Sequence, residues 1–286
     1  MQSKIKLTTV VLISHRSKNL VLSFIKNLTQ KIQILIIDNS KDEDLKKEIS
    51  KYQNIKIIFM ENKGYGSAIN YARTFIKTKY FFIFSPDVNN VSTKLISIFE
   101  NKANMIKKFG AIGPRFLNVK EKSHRQTDVK KKIGNIDSIS GAAMFFDTNI
   151  FDDIGGFDEN FFLYFEETDY CKRARKKGYK IYQLNNTKVG HNKGLNSGVV
   201  TTKNTEEEKN LQNLYSWHFI WSKHYYHKKH YGKIYSIIYF VPTLIRILFR
   251  ICLYKITRND NKIKKYNIRL DGLLSSIMNI ASVKRL

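Results

Sequence analysis

Tyr80-Phe81-Phe82-Ile83-Phe84-Ser85-Pro86-Asp87-Val88 (residues 80–88) sets five consecutive apolar side chains before a serine, a proline and an aspartate. An unbroken apolar run of this length reads as a strand covered on both faces, and Ser-Pro-Asp reads as the turn that ends it. Toward the N-terminus the same pattern recurs at Thr8–Ile13, Ile34–Ile37 and Ile55–Phe59. Between these runs, Ser17–Thr29, Asp42–Ser50 and Gly66–Ile76 carry helical spacing, with Leu20, Phe24 and Leu28 on one face of the first. Strands alternating with helices imply βαβ units, right-handed crossovers and a mostly parallel sheet flanked by helices. Ligands of such sheets collect beyond the carboxyl ends of the strands. Ser14, Asp38-Asn39-Ser40 and Ser85-Pro86-Asp87 all fall there.

Downstream, the pattern predicts a helix over Ser92–Phe109, a strand at Ala111–Pro114 and a basic loop at Lys120–Lys132. A strand at Ala142–Phe146 and a short helix at Asn149–Ile154 follow. Gly155–Tyr179 reads as a turn running into a helix that Gly178 terminates, and Tyr179–Leu184 as a strand leading to His191. Residues 192–208 read as a polar loop, and Asn213–Gly232 as an aromatic-rich helix.

The 286 residues carry 50 Lys and Arg against 24 Asp and Glu, a net charge of +26, so a polyanionic partner is expected. After residue 222 there are 14 basic side chains and only two acidic ones, Asp260 and Asp271. A 42% apolar content excludes wholesale disorder, and two cysteines exclude a disulfide framework. The N-terminal apolar stretch is too short for a secretory signal, and Lys233–Arg246, interrupted by Pro242, is shorter than a bilayer span. These features predict a cytoplasmic protein with Cys171 and Cys252 reduced. The tail interleaves Tyr235, Ile238, Phe240, Leu244, Ile245, Leu248 and Phe249 with Arg246 and Arg250. That pattern suits helices lying on an anionic membrane surface; packing on the rest of the chain or on a second copy, as in a homodimer, is the alternative.

Seven segments in order carry a resemblance: VVLISHRS (10–17), ILIIDNS (34–40), ENKGYGSAIN (61–70), SPDV (85–88), SGAAMFF (140–146), GGFDENFFLYFEETDYCKRARKKGY (155–179) and HNKGLNS (191–197). Together they resemble a GT-A fold (Rossmann-like) family 2 glycosyltransferase of the rhamnosyltransferase-like branch that builds bacterial surface polysaccharides. The resemblance implies a catalytic domain over 1–210, with a nucleotide-sugar half at 1–115 and an acceptor half at 116–210. A helical, basic, membrane-associating extension over 211–286 follows. It also implies a nucleotide diphosphate sugar donor, a lipid-linked glycan acceptor and a divalent cation, Mg²⁺ or Mn²⁺.

The resemblance assigns Ser14, Asp38 and Asn39 to the nucleotide, although Asp38 reads equally as the cap of its turn. Asn62, Gly64 and Asn70 border the diphosphate, where free backbone N–H groups at a helix start suit an anion. Asp87, with His191, is the metal candidate; the family's Asp-x-Asp is reduced here, with Ser85 in the first position. A turn aspartate and a structural histidine are the plainer readings of the two. Ser140 and Gly141 correspond to the floor of the acceptor pocket, a small-residue strand entry being an equal reading; the Gly155–Asp158 turn corresponds to an acceptor-side element, with Asp158 and Arg173 as further substrate-binding candidates. Glu166, Glu167 and Asp169 open a helix, where its dipole favours carboxylates, and Asp169 is also spaced to pair with Arg173. The family's Glu-Asp motif places the catalytic base on Glu167, one methylene longer than the usual Asp, with Asp169 as the alternative. A nucleotidyltransferase on a similar fold lacks its phosphate-cradling loop here. A nucleic-acid binder lacks a recognisable module, so no nucleic-acid partner is expected.

Overall fold

A computed structural model describes residues 7–28, 32–117, 127, 130–191, 205–282 and 284. Most of the basic loop at 120–132 and residues 192–204 of the polar loop lie outside these. In chain order the elements begin β1 (Thr8–Ser14), α1 (Lys18–Lys26), β2 (Gln33–Asp38), α2 (Glu43–Ile49), β3 (Ile55–Phe59), α3 (Tyr65–Arg73) and β4 (Tyr80–Phe84). Then come β5 (Val88–Asn89), α4 (Thr93–Ile106), β6 (Ala111–Phe116), β7 (Ile133–Asn135), β8 (Ala143–Asp147), α5 (Thr148–Ile154), α6 (Glu166–Lys176) and β9 (Ile181–His191). Three helices complete the chain: α7 (Thr205–Tyr231), α8 (Lys233–Ile256) and α9 (Asp260–Ile277).

The chain divides into two units, Met1–Asp158 with Glu167–Thr202, and Glu159–Glu166 with Lys203–Leu286. The first holds a sheet ordered β3-β2-β1-β4-β8-β6-β9-β5, with β7 also on β9. Alternate residues of each strand serve opposite cores. Val10, Leu12, Ile36, Phe82, Phe84 and Phe145 pack with Phe24, Leu45 and Phe99 from α1, α2 and α4. Val11, Ile13, Ile37, Phe81, Ile83 and Phe146 pack with Ile69, Phe151 and Tyr170 from α3, α5 and α6. This explains why the strands read as unbroken apolar runs.

The expectation of a mostly parallel sheet is corrected to a mixed one. β1, β2, β3 and β4 are parallel, but β8 is antiparallel to both β4 and β6, and β5 and β7 are antiparallel to β9. The cause lies at the carboxyl end of β4, where the Ser85 N–H donates to the Ala142 carbonyl at 2.9 Å. β8 therefore starts at the edge where β4 stops, and can only run back. Cys171 and Cys252 are both free thiols. Complete burial pushes the Cys171 thiol up to about 12, so it stays protonated.

In the second unit α7, α8 and α9 close over Ile220, Phe240, Ile247, Ile251 and Leu273. α7 and α9 approach closely at Gly272, where a Cβ would lie 2.7 Å from the Trp217 carbonyl oxygen. The segment at 159–166 belongs to this unit: Phe161 meets Tyr225 edge-on at 4.8 Å, and Ser222 Oγ donates to the Leu163 carbonyl at 2.8 Å. The sequence expectation of no segment long enough to span a bilayer is also revised. Helix α8 continues through Pro242 and Arg246 for 24 residues and, among the described residues, is the one helix long and apolar enough to cross a membrane by length and composition. Proline removes one amide donor from a helix interior. The carbonyl it leaves unpaired belongs to Ile238, which is exposed.

Candidate functional site

The site residues of the first unit lie where the sheet topology predicts, beyond the carboxyl ends of β1, β2 and β4. At β2, Asp38 is fully buried, and its Oδ1 accepts from the Ser40 and Asp42 backbone N–H groups at 3.0 Å. Ser40 Oγ adds 3.1 Å contacts to both carboxylate oxygens. Of its two readings, the geometry therefore realises the turn cap. Ser14 is buried beside it, its hydroxyl 3.1 Å from that of Ser17 and its carbonyl accepting from Asn39 N–H at 2.8 Å. Asn39 Oδ1 and His15 Nδ1 are buried polar atoms with no hydrogen-bond partner among the described residues. Burial and then the Arg16 charge lower the His15 pKa, which keeps its ring neutral at pH 7. An orphaned acceptor and a neutral imidazole side by side suit the polar edge of a nucleobase or ribose. Sequence reasoning passed over His15, although it follows Ser14 directly.

At the start of α3, Gly64 adopts φ +104°, a backbone conformation open only to glycine, and its N–H lies 3.4 Å from Asn62 Oδ1. Tyr65, which the sequence reading did not single out, donates its hydroxyl to the Gly141 carbonyl at 2.8 Å. Glu167 covers the same glycine: a Cβ built there would lie 3.6 Å from Glu167 Cβ and 3.7 Å from Tyr65 Cε1. Ser140, Gly141, Tyr65 and Glu167 thus form one corner, linked to β4 through the Ser85–Ala142 hydrogen bond. Ser140 Oγ accepts from the Ala142 N–H at 3.3 Å.

Asn70 and Arg173 hold structure together. Asn70 donates Nδ2 to the Phe157 carbonyl and accepts the Phe157 N–H at Oδ1, both at 2.9 Å. Arg173 Nε donates to Asp169 Oδ2 at 2.7 Å, while its other nitrogens reach the Ile154 and Gly156 carbonyls. Gly156, at φ +61°, leaves only 2.7 Å between a built Cβ and Asn70 Oδ1. These contacts clamp the Gly155–Asp158 turn, with Asp158 half-buried at its end. Asp169 is wholly buried in this ion pair, whereas Glu167 stands over the glycine corner. Glu166, the first residue of α6, is buried.

Asp87 and His191 come together through strand pairing. Val88 and His191 are register partners of the antiparallel β5–β9 pair, which brings His191 Nε2 within 3.2 Å of Asp87 Oδ2. The Asp87 side chain is fully buried and that of His191 is 15% exposed. Gly190 faces Asn89 across this pair, and a Cβ there would meet only the exposed end of the Asn89 side chain. No group of three or more His, Cys, Asp or Glu side chains suited to a metal occurs among the described residues. Two ligands, one carboxylate oxygen and one imidazole nitrogen, still suit a cation that fills its other positions with phosphate and water oxygens.

Solved structures share this architecture. GalNAc-T7 with UDP, GalNAc and Mn²⁺ superposes with a TM-score of 0.53 at 16% identity, over 65% of this chain and 44% of that one. The mannosyltransferase PcManGT from Pyrobaculum calidifontis, in complex with GDP-Man and Mn²⁺, gives 0.56 at 13% identity over 97% and 89%. TarS 1–349 of S. aureus gives 0.51 at 11% identity over 96% and 92%. These likenesses establish a GT-A-like fold. In sequence, the chain is 22% identical over 208 residues to the low-salt glycan biosynthesis hexosyltransferase Agl10 of Haloferax volcanii, over 64% of this chain and 66% of that protein's length. The Glycosyl transferase family 2 pattern matches residues 9–154, just over half of the chain, from the second residue of β1 to the end of α5. The chain spans 66% of the length of the curated relative and 44% of GalNAc-T7, and it belongs to glycosyl transferase family 2.

Proposed function

We propose that the protein is an inverting hexosyltransferase that moves a hexose from a nucleotide diphosphate sugar to a lipid-linked or growing surface glycan, of the rhamnosyltransferase-like kind. The observation that carries this reading is the Asp87–His191 pair beside the Gly141–Glu167 corner, joined by the Ser85–Ala142 hydrogen bond. Mn²⁺ accompanies the nucleotide or nucleotide sugar in the GalNAc-T7 and PcManGT structures. That supports Asp87 and His191 as holders of a divalent cation. Such a cation, when bound, offsets the charge that builds on the departing diphosphate.

The chain's own residues account for the rest. The turn capped by Asp38 presents Asn39 and His15 to the nucleoside, and the N-terminus of α3 offers N–H groups to the diphosphate. Glu167 accepts the proton of the acceptor hydroxyl as that oxygen bonds to the anomeric carbon; the bond from that carbon to the diphosphate oxygen breaks, and the nucleoside diphosphate leaves. Release of nucleoside diphosphate across a panel of UDP, GDP and dTDP sugars tests the reading. One donor class is expected to turn over with Mn²⁺ or Mg²⁺, and turnover of none contradicts it.

A peripheral place on the inner face of the cytoplasmic membrane is part of the proposal. Ile234, Ile238, Ile245, Phe249 and Ile256 are 62–81% exposed and lie four and seven residues apart, on one side of α8. Arg246 and Arg250 sit mid-helix, and each costs about 3 kcal/mol at a bilayer centre, which favours α8 lying in the interface over spanning. Ile245→Asp/Phe249→Asp removes about 3 to 6 kcal/mol of apolar burial. Its binding to phosphatidylglycerol vesicles should fall at least a hundredfold by co-sedimentation, and undiminished binding would exclude the stripe.

A further inference from the structure

The second unit holds a cavity of about 400 Å³ walled by Tyr164, Tyr215 and Phe219 on one side and by Lys265 and Arg269 on the other. A second cavity, of about 300 Å³, shares Phe219 and Arg269 and adds Lys223 and Arg246. The two read as one cleft with a common wall. None of its four cations makes an ion pair among the described residues, and no acidic side chain lines either cavity. Of the two acids after residue 222, Asp271 is engaged by Lys284 and Trp217, and Asp260 lines neither cavity. Four cations with no acidic side chain in the lining give the cleft a positive potential that suits an anion. Two arginines with two lysines match the forked oxygens of a diphosphate.

The aromatic end has a different chemistry. Tyr164 meets Tyr215 at 6.1 Å and Phe219 at 5.6 Å, both edge-on, and all three line the cavity as an aromatic wall of the kind that suits the C–H face of a sugar. Gln212 and Asn213 at the rim supply amides for hydroxyl groups. Tyr164 and Phe165 hold φ +68° and +71°, left-handed conformations that bulky residues keep only where surrounding packing fixes them. Tyr164 precedes the proposed base Glu167 by three residues, and Arg246 stands on α8, the helix with the exposed apolar stripe.

We propose that this cleft binds the glycosyl diphosphate portion of the lipid-linked acceptor, its cations holding the diphosphate and its aromatic wall the adjoining sugar. The proposal rests on the transferase reading above for the identity of the ligand. A lipid-linked diphosphate and a phospholipid headgroup share a phosphate ester on a hydrocarbon chain, so the test separates them. The full chain is titrated calorimetrically with farnesyl diphosphate and with dihexanoylphosphatidylglycerol, with UDP, GDP and dTDP in excess to fill the donor site.

Farnesyl diphosphate should bind at least tenfold more tightly than the phospholipid. Lys265→Gln/Arg269→Gln should weaken it tenfold or more, Tyr215→Ala should weaken its N-acetylglucosamine conjugate more than farnesyl diphosphate itself, and Arg258→Gln, outside the cleft, should change neither beyond twofold. Circular dichroism checks that each variant is folded, and Lys223→Gln/Arg246→Gln serves as the second probe if the first is not. Absence of binding, equal affinity for the phospholipid, or equal loss in Arg258→Gln overturns the proposal. Should the chain turn over no donor while the cleft still binds farnesyl diphosphate, it is the transferase reading that fails.

Discussion

Glu167→Gln should lower nucleoside diphosphate release in the presence of acceptor by about 10²- to 10⁴-fold, the usual contribution of a positioned base. Its melting temperature should stay close to that of the parent, because the Glu167 methylenes that cover Gly141 are kept and the carboxylate is not the partner of Arg173. Asp169→Asn should behave in the opposite way. It leaves Arg173 beside a buried neutral amide, and breaking a buried pair costs about 3 kcal/mol or more. Several degrees of melting temperature should be lost, with activity falling only as far as the Gly155–Asp158 turn loosens. Thermal scans beside rates for both variants decide which carboxylate is the base; a rate collapse confined to Asp169→Asn would move that role to Asp169.

Asp87→Ala carries the second large effect. Without the carboxylate that would hold a cation beside His191, the charge on the departing diphosphate goes uncompensated, and release should fall on the order of 10³-fold. Excess Mn²⁺ should not restore it. His191→Ala should lose less and recover in part at high Mn²⁺, because the fully buried Asp87 still offers its charge. Unchanged release by Asp87→Ala would remove this residue from the mechanism.

The central strands of the first unit were legible because burial on both faces makes them nearly unbroken apolar runs, and Tyr80–Phe84 matches its observed bounds; Ile55–Phe59 also matches, although it is an edge strand with an exposed Lys56 and no fully buried residue. The carboxyl-edge position of Asp38 and Asp87 follows from the same runs. The direction of β8 was not legible, since Ala142–Phe146 is equally apolar whichever way it runs, and its antiparallel pairing with β4 and β6 is set by contacts remote in sequence. Tyr65 was hidden between two glycines that draw attention to the backbone, and its hydroxyl partner is 76 residues away. Asn70 and Arg173 looked like substrate ligands because a polar side chain near a site has the same letter whether it faces a ligand or clamps a loop. α8 was underestimated because a proline and an arginine interrupt its apolar run in sequence without ending the helix. The cleft between α7 and α9 has no local motif: Tyr164, Phe219 and Arg269 meet only through helix packing.

The account turns on Asp87 and His191 acting together on a cation that meets the donor diphosphate. Mn²⁺ binding followed by electron paramagnetic resonance, with nucleoside diphosphate present, addresses this without any need for the acceptor. One Mn²⁺ should bind the parent and Glu167→Gln alike, and affinity should drop at least tenfold in both Asp87→Asn and His191→Ala. Undiminished Mn²⁺ binding in those two variants would contradict the account.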